Sequence, residues 1–169
     1  ASSLIAQDWN SQFFPHVLLR LLHVVDAPGV VFALSIAGWV VALGGLGIVW
    51  ALKRTSSVEA VALSATAMFL SLPFLLSTTW PHYLVYLPFC QAVVWTGLLH
   101  ATSTPARHKL LACAALSVLL SSVFVLNVGH DWSVYAKSSA LFYADVLLIP
   151  AVVVLARAAA KRPTSSAGA

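Results

Sequence analysis

One short polar break between two apolar runs holds the residues of this chain best suited to chemistry. In Ser77-Thr-Thr-Trp-Pro-His-Tyr83, His82 lies two residues after an indole, Trp80, and one before a phenol, Tyr83. A tight turn can be built from Gly, Asn and Ser alone, so these types carry information. An imidazole at headgroup depth can hydrogen-bond a phosphate and take a positive charge beside an anion. Trp and Tyr can stack on a sugar. The same three residues also suit an aromatic interfacial belt with a solvated turn histidine, and spacing alone fits both.

Other polar groups flank further apolar runs. Asp8, Trp9, Asn10, His16, Arg20, His23 and Asp26 precede the first run, and His130, Asp131 and Trp132 lie in a late loop. His16 and His23 are two helical turns apart, and there is no HxxxH or HExxH pair, so these histidines do not read as a metal site. The chain has no glycine-rich phosphate loop, no Gly-x-Ser-x-Gly elbow and no CxxC. Cys90 and Cys113 fall inside apolar runs, as reduced packing residues do. Asp145 lies about two turns into the last run. An ionisable group there costs roughly 2.5–3.5 kcal/mol on insertion scales. It therefore serves a polar site or, more commonly, pairs with Lys137 or another polar group.

The elements that position these residues follow from composition. The chain has 169 residues, 60% hydrophobic and 8% charged, whereas soluble domains are about 25% charged. That excludes a water-soluble fold and predicts an all-α polytopic membrane protein. The net charge of +4 is spread between apolar runs without interleaved aromatics, which excludes nucleic acid as a partner.

Crossing the hydrocarbon core takes about 20 helical residues. Five runs are candidates: Val30 to Leu52, Val58 to Leu76, Tyr83 to Leu99, Leu110 to Val128 and Ser139 to Leu155. Gly38, Gly44, Gly45 and Gly47 in the first would let a neighbour approach closely. Alternating sides puts Lys53, Arg54, Arg107, Lys109, Arg157, Lys161 and Arg162 on one face and only Arg20 and Lys137 on the other. The rich side reads as cytoplasmic, with the N-terminus outside and the C-terminus inside. From Gln12 to Val25, the polar residues Gln12, His16, Arg20 and His23 recur every three or four positions. This predicts an amphipathic interfacial helix (12–25) with a narrow polar stripe toward water or a cavity. The organisation expected is an external segment over 1–27, a five-span domain over 28–158 and a cytoplasmic tail over 159–169.

The stretch Leu75-Leu-Ser-Thr-Thr-Trp-Pro-His-Tyr-Leu-Val-Tyr-Leu-Pro88 resembles the Ser-Pro-x-Ser-Trp-x-His-His-x-Val hairpin of glycosyltransferase family 87. These are bacterial multi-span enzymes of the GT-C class, among them polyprenyl-phosphate-mannose-dependent mannosyltransferases. Upstream, Trp9-Asn-Ser-Gln and Leu18-Leu-Arg-Leu-Leu22 are similar to that family's Asn-Gln-Ser segment and amphipathic helix. Thr78 stands where the family usually has Pro, and Tyr83 where a second His is common. The resemblance implies an enzyme of the bacterial inner membrane that takes a sugar, mannose by analogy, from a polyprenyl-phosphate carrier, without a cofactor. The acceptor would be an extracytoplasmic glycolipid or glycan.

By the same resemblance His82 binds or neutralises the departing phosphate. Trp80 and Tyr83 shape the pocket, and Asn10, His16 and Arg20 assist from the interfacial segment. The family's catalytic acid sits in a first outer loop that has no counterpart here, which implies that the chain is the C-terminal part of such an enzyme. Its partners would then be membrane lipids, the donor, the acceptor, and the missing N-terminal part or another membrane chain. A second reading is a non-catalytic membrane subunit or lipid-binding accessory protein. A transporter component is disfavoured, because no internal repeat is present.

Overall fold

The computed structural model describes residues 11–23, 28–55, 57–77, 81–122 and 138–161. Among these the chain is all helical: α1 (Phe14–Leu21), α2 (Pro28–Leu52), α3 (Val58–Leu70), α4 (Leu72–Leu75), a 3-10 turn (Pro81–Tyr86), α5 (Leu87–His100), α6 (Pro105–Leu120), α7 (Ala140–Val146) and α8 (Ile149–Ala160). Three helical stretches are long and apolar enough to cross a membrane: Pro28–Leu52, Val58–Leu75 and Ala140–Ala160. The apolar helix Leu84–His100 is shorter, and α6 has 16 residues. The 25 residues of α2 give roughly 37 Å at about 1.5 Å each, more than the ~30 Å hydrocarbon core.

Helix starts follow local chemistry. The Ser57 side chain accepts from the Ala60 N–H at 3.1 Å, and Glu59 lies in the first turn of α3, where the helix dipole favours an anion. Thr104 caps α6 in the same way, accepting from the Arg107 N–H at 3.1 Å, with Pro105 in its first turn. Prolines also segment the spans. Pro73 stands just past the α3–α4 break and Pro150 just past the α7–α8 break. Each lacks an N–H and crowds the carbonyl four residues back, so the helix interrupts there.

The core lies among α3, α5, α7 and α8, around Leu63, Leu87, Val94, Leu98, Leu148 and Val152. On the outside, Phe32, Trp39, Val40, Leu43 and Trp50 of α2 are exposed, an apolar face that lipid, not water, would cover. Of the four glycines expected to admit a neighbour, two do so. A Cβ on Gly38 would come within 2.6 Å of the Phe74 carbonyl oxygen, and one on Gly45 within 2.5 Å of the Ser71 Oγ. The two are seven residues apart, on the face of α2 that meets α3 and α4. Gly44 and Gly47 face open space instead.

Polar side chains tie helices inside this apolar frame. Gln91 Nε2 donates to the Ser117 and Ser121 hydroxyls at 3.1 and 2.8 Å, and the Ser117 hydroxyl donates to the Ala144 carbonyl at 2.7 Å. One chain of hydrogen bonds thus links α5, α6 and α7. At the end of α5, the Arg107 Nε donates to the Leu98 carbonyl at 2.6 Å and its Nη2 to the Leu99 carbonyl at 3.3 Å, serving acceptors of the last turn. Both cysteines are free, Cys90 buried and Cys113 half-buried.

Candidate functional site

The segment expected to be an interfacial helix over 12–25 forms an eight-residue helix, Phe14–Leu21, and residues 24 and 25 lie outside the described residues. Gln12, His16 and Arg20 of its polar stripe turn into the protein, and His23 is exposed. His16 is buried, and Leu21 and Leu22, next along the chain, are exposed. The reason is hydrogen bonding. Ser11 Oγ and His16 Nδ1 share a hydrogen bond of 2.9 Å, and the Phe13 ring meets the imidazole edge-on at 5.0 Å. The helix closes on His23, whose backbone adopts φ 53° and whose N–H donates to the Arg20 carbonyl at 3.2 Å, a left-handed cap of the usual kind.

Arg20 joins this segment to the start of α7. Its Nη2 group donates to the Ser11 carbonyl at 2.6 Å and to the Ser139 hydroxyl at 2.8 Å, across 119 residues of sequence. Ser139 precedes α7 with φ 56°, a left-handed backbone uncommon for a residue with a Cβ. The guanidinium contact holds it there. Gln12 Oε1 accepts from the Phe142 N–H at 3.2 Å, which satisfies a first-turn donor of α7 that the helix itself cannot. Ser11, Gln12, His16, Arg20 and Ser139 are therefore one polar group, mostly enclosed. Ser11, Gln12 and His16 are 4% exposed or less.

Aromatic packing brings a third element to the same end of the bundle. Phe14, Phe74 and Phe142 form a cluster with ring centroids 5.4, 6.2 and 5.7 Å apart. Phe74 belongs to α4, immediately before the connection that carries Trp80 and His82. So α1, the entry to that connection and the start of α7 converge. His82 and Tyr83 lie in the 3-10 turn Pro81–Tyr86, and their side chains are outside the described residues. Asn10 and Trp80 are also outside them, as are Asp8, Asp26, His130 and Asp131.

Asp145 has a different partner from the one considered for it. It is fully buried, and its Oδ1 accepts from the Tyr86 hydroxyl at 3.0 Å. Tyr86 is fixed in turn by stacking on Phe69, with centroids 5.1 Å apart. Lys137 lies outside the described residues. The Asp145 Oδ2 finds no hydrogen-bond partner among the described residues. Replacing Tyr86 with Phe leaves both carboxyl oxygens without a partner. Interhelical hydrogen bonds in membranes average about 0.6 kcal/mol, and an unsatisfied buried group costs about 1–3 kcal/mol. The expected loss is about 1–2 kcal/mol, read as a lower midpoint of unfolding in mixed micelles. The double variant Tyr86→Phe/Asp145→Leu should recover most of it, because no polar group is then left alone.

Two grooves of about 640 and 560 Å³ lie elsewhere on the molecule, and no residue predicted for the site lines either. Ser11, Gln12, Ser139 and Tyr86 were missing from the sequence-derived set. Ser139 carried one signal, a hydroxyl immediately before an apolar run. Gln12 carried another, its place in the spaced polar stripe, whereas Ser11 and Tyr86 depend on long-range contacts that spacing does not encode. Compared with known proteins, the chain matches no family model, no curated protein and no solved structure.

Proposed function

We propose that this chain is the membrane part of a GT-C glycosyltransferase that transfers a sugar, mannose by analogy, from a polyprenyl-phosphate carrier to an extracytoplasmic glycolipid or glycan. The reading rests on the stretch Leu75 to Pro88. One structural observation supports it: α1 with Arg20 and His16, the entry to the Trp80–His82 connection, and the start of α7 meet at one end of the bundle. The chain then crosses a bacterial inner membrane five times, with the N-terminus outside, and this end faces outward.

In this mechanism a carboxylate from outside the described residues acts as base and takes the acceptor's hydroxyl proton. The oxygen attacks the anomeric carbon with inversion, and the carrier phosphate leaves with the bonding pair. His82 hydrogen-bonds that phosphate and balances its developing charge. Trp80, Tyr83 and Asn10 complete the pocket, which Arg20 and His16 join from α1. A preorganised donor of this kind acts where charge appears, and a site shielded from water strengthens it.

A second reading is favoured by one observation. The described carboxylates are Glu59, at the start of α3, and Asp145, buried against Tyr86. Neither belongs to the Ser11–His16–Arg20–Ser139 group. A site with cationic and hydroxyl groups and no carboxylate among the described residues suits binding of an anionic lipid without turnover, as in an accessory subunit. Transfer of radiolabel from polyprenyl-phosphate mannose by membranes containing the full gene product separates the two. Labelled product supports the enzyme. Absence of transfer with every polyprenyl-phosphate sugar tried supports the accessory subunit.

A further inference from the structure

The groove of about 640 Å³ lies among α2, α3 and α8, running from Val41 and Ile149 to the end of α8. Its volume is within the range of about 300–1,000 Å³ that encloses a small ligand. The walls are apolar, with Gly44, Gly47 and Ile48 on one side and Val152 and Ala156 on another. Two cations, Arg157 and Lys161, close one end. They are four residues apart at the end of α8, so they share a helix face. Among the described residues neither has a hydrogen-bond or ion-pair partner.

The glycines explain why the groove is open. Gly45 is needed for the contact of α2 with α3, since its Cβ would meet Ser71 and Ala67. Gly44 and Gly47 flank it, and a Cβ on either would meet nothing within 4 Å. Helix packing makes no demand for glycine at these two positions, and their missing side chains are what leaves the space.

We propose that this groove binds one anionic phospholipid, with a hydrocarbon chain along Gly44 and Gly47 and the headgroup phosphate on Arg157 and Lys161. Charge complementarity selects this occupant. An apolar chain satisfies the walls, and a phosphate at the mouth satisfies both cations, as in basic pockets between membrane helices. A second copy of the chain packed here about a twofold axis would set Arg157 and Lys161 against their own copies. The site is independent of the glycosyltransferase reading and stands if that reading fails.

The test is native mass spectrometry of the full chain in an uncharged detergent, titrated with dioleoyl-phosphatidylglycerol or dioleoyl-phosphatidylcholine. One phosphatidylglycerol should be retained about tenfold more tightly than phosphatidylcholine. Arg157→Gln/Lys161→Gln should remove that preference. Gly44→Leu/Gly47→Leu should abolish retention of both lipids while circular dichroism shows unchanged helix content. Equal retention of the two lipids overturns the proposal, as does a preference that survives both variant pairs. A dimer that Gly44→Leu/Gly47→Leu dissociates would assign the groove to a second copy. Inorganic phosphate that binds the protein and displaces the lipid at the lipid's own concentration would reduce the site to a phosphate site. Either result overturns the lipid.

Discussion

Transfer of labelled mannose from its polyprenyl-phosphate carrier should fall at least about a hundredfold when His82 is replaced with Ala. The figure follows from the role proposed for the imidazole. Removing one preorganised donor from a group where charge develops costs about 10²–10³ in rate. His82→Gln keeps a hydrogen-bond donor but loses the capacity for positive charge, so its rate should fall between the two. The comparison is made at saturating donor, where a loss in kcat marks an interaction stronger in the transition state than in the bound substrate. A variant that raises only KM would reduce His82 to a binding group. A variant with full activity would remove it from the site and leave the resemblance of Leu75 to Pro88 without functional content.

The second large effect is expected at Arg20, and it is structural before it is catalytic. One Nη2 group serves both the Ser11 carbonyl and the Ser139 hydroxyl. Hydrogen bonds to a charged group contribute about 1.5–3 kcal/mol each, and somewhat less where the alternative state also finds partners. Arg20→Met should therefore cost about 2–4 kcal/mol and free residues 11–23 from the start of α7. Two measurements check this: a lower unfolding midpoint in mixed micelles, and faster protease cleavage on the N-terminal side of α2. Arg20→Lys should rescue part of it, because one nitrogen makes both bonds and an ammonium has donors for two, on a shorter stem. Ser139→Gly gives the complementary result. It loses one hydrogen bond but relieves the left-handed backbone, so its cost should be well below that of Arg20→Met. If Arg20→Met leaves stability unchanged and transfer falls, the guanidinium acts on substrate and not on the fold.

The fold class was legible because lipid imposes a simple condition. Every backbone polar group must be satisfied within its own segment, so long uncharged runs become helices whatever surrounds them. That condition determined the helical class and the apolar runs, three of which form helices long enough to cross a membrane. Pro73 and Pro150 act locally too, each standing within two residues of an interruption. Each of these depends on residues within a few positions of one another.

What depends on distant residues was not legible. The period of Gln12, His16, Arg20 and His23 announces a polar stripe but not the direction it faces. Its inward direction was decided by Ser139 and the Phe142 N–H, more than 110 positions away. Four glycines were equivalent as a composition, and only the approach of Phe74 and Ser71 made Gly38 and Gly45 packing residues and left Gly44 and Gly47 over an open groove. Asp145 was recognisable from sequence as a buried acid in need of a partner. Tyr86, 59 residues earlier, became that partner because the fold brings the 3-10 turn ahead of α5 to α7, with Phe69 stacked on the ring. The sequence by itself determined the helices, since their hydrogen bonds are local. The tertiary structure alone decided which polar groups meet, since those contacts require the apolar surfaces to be packed first.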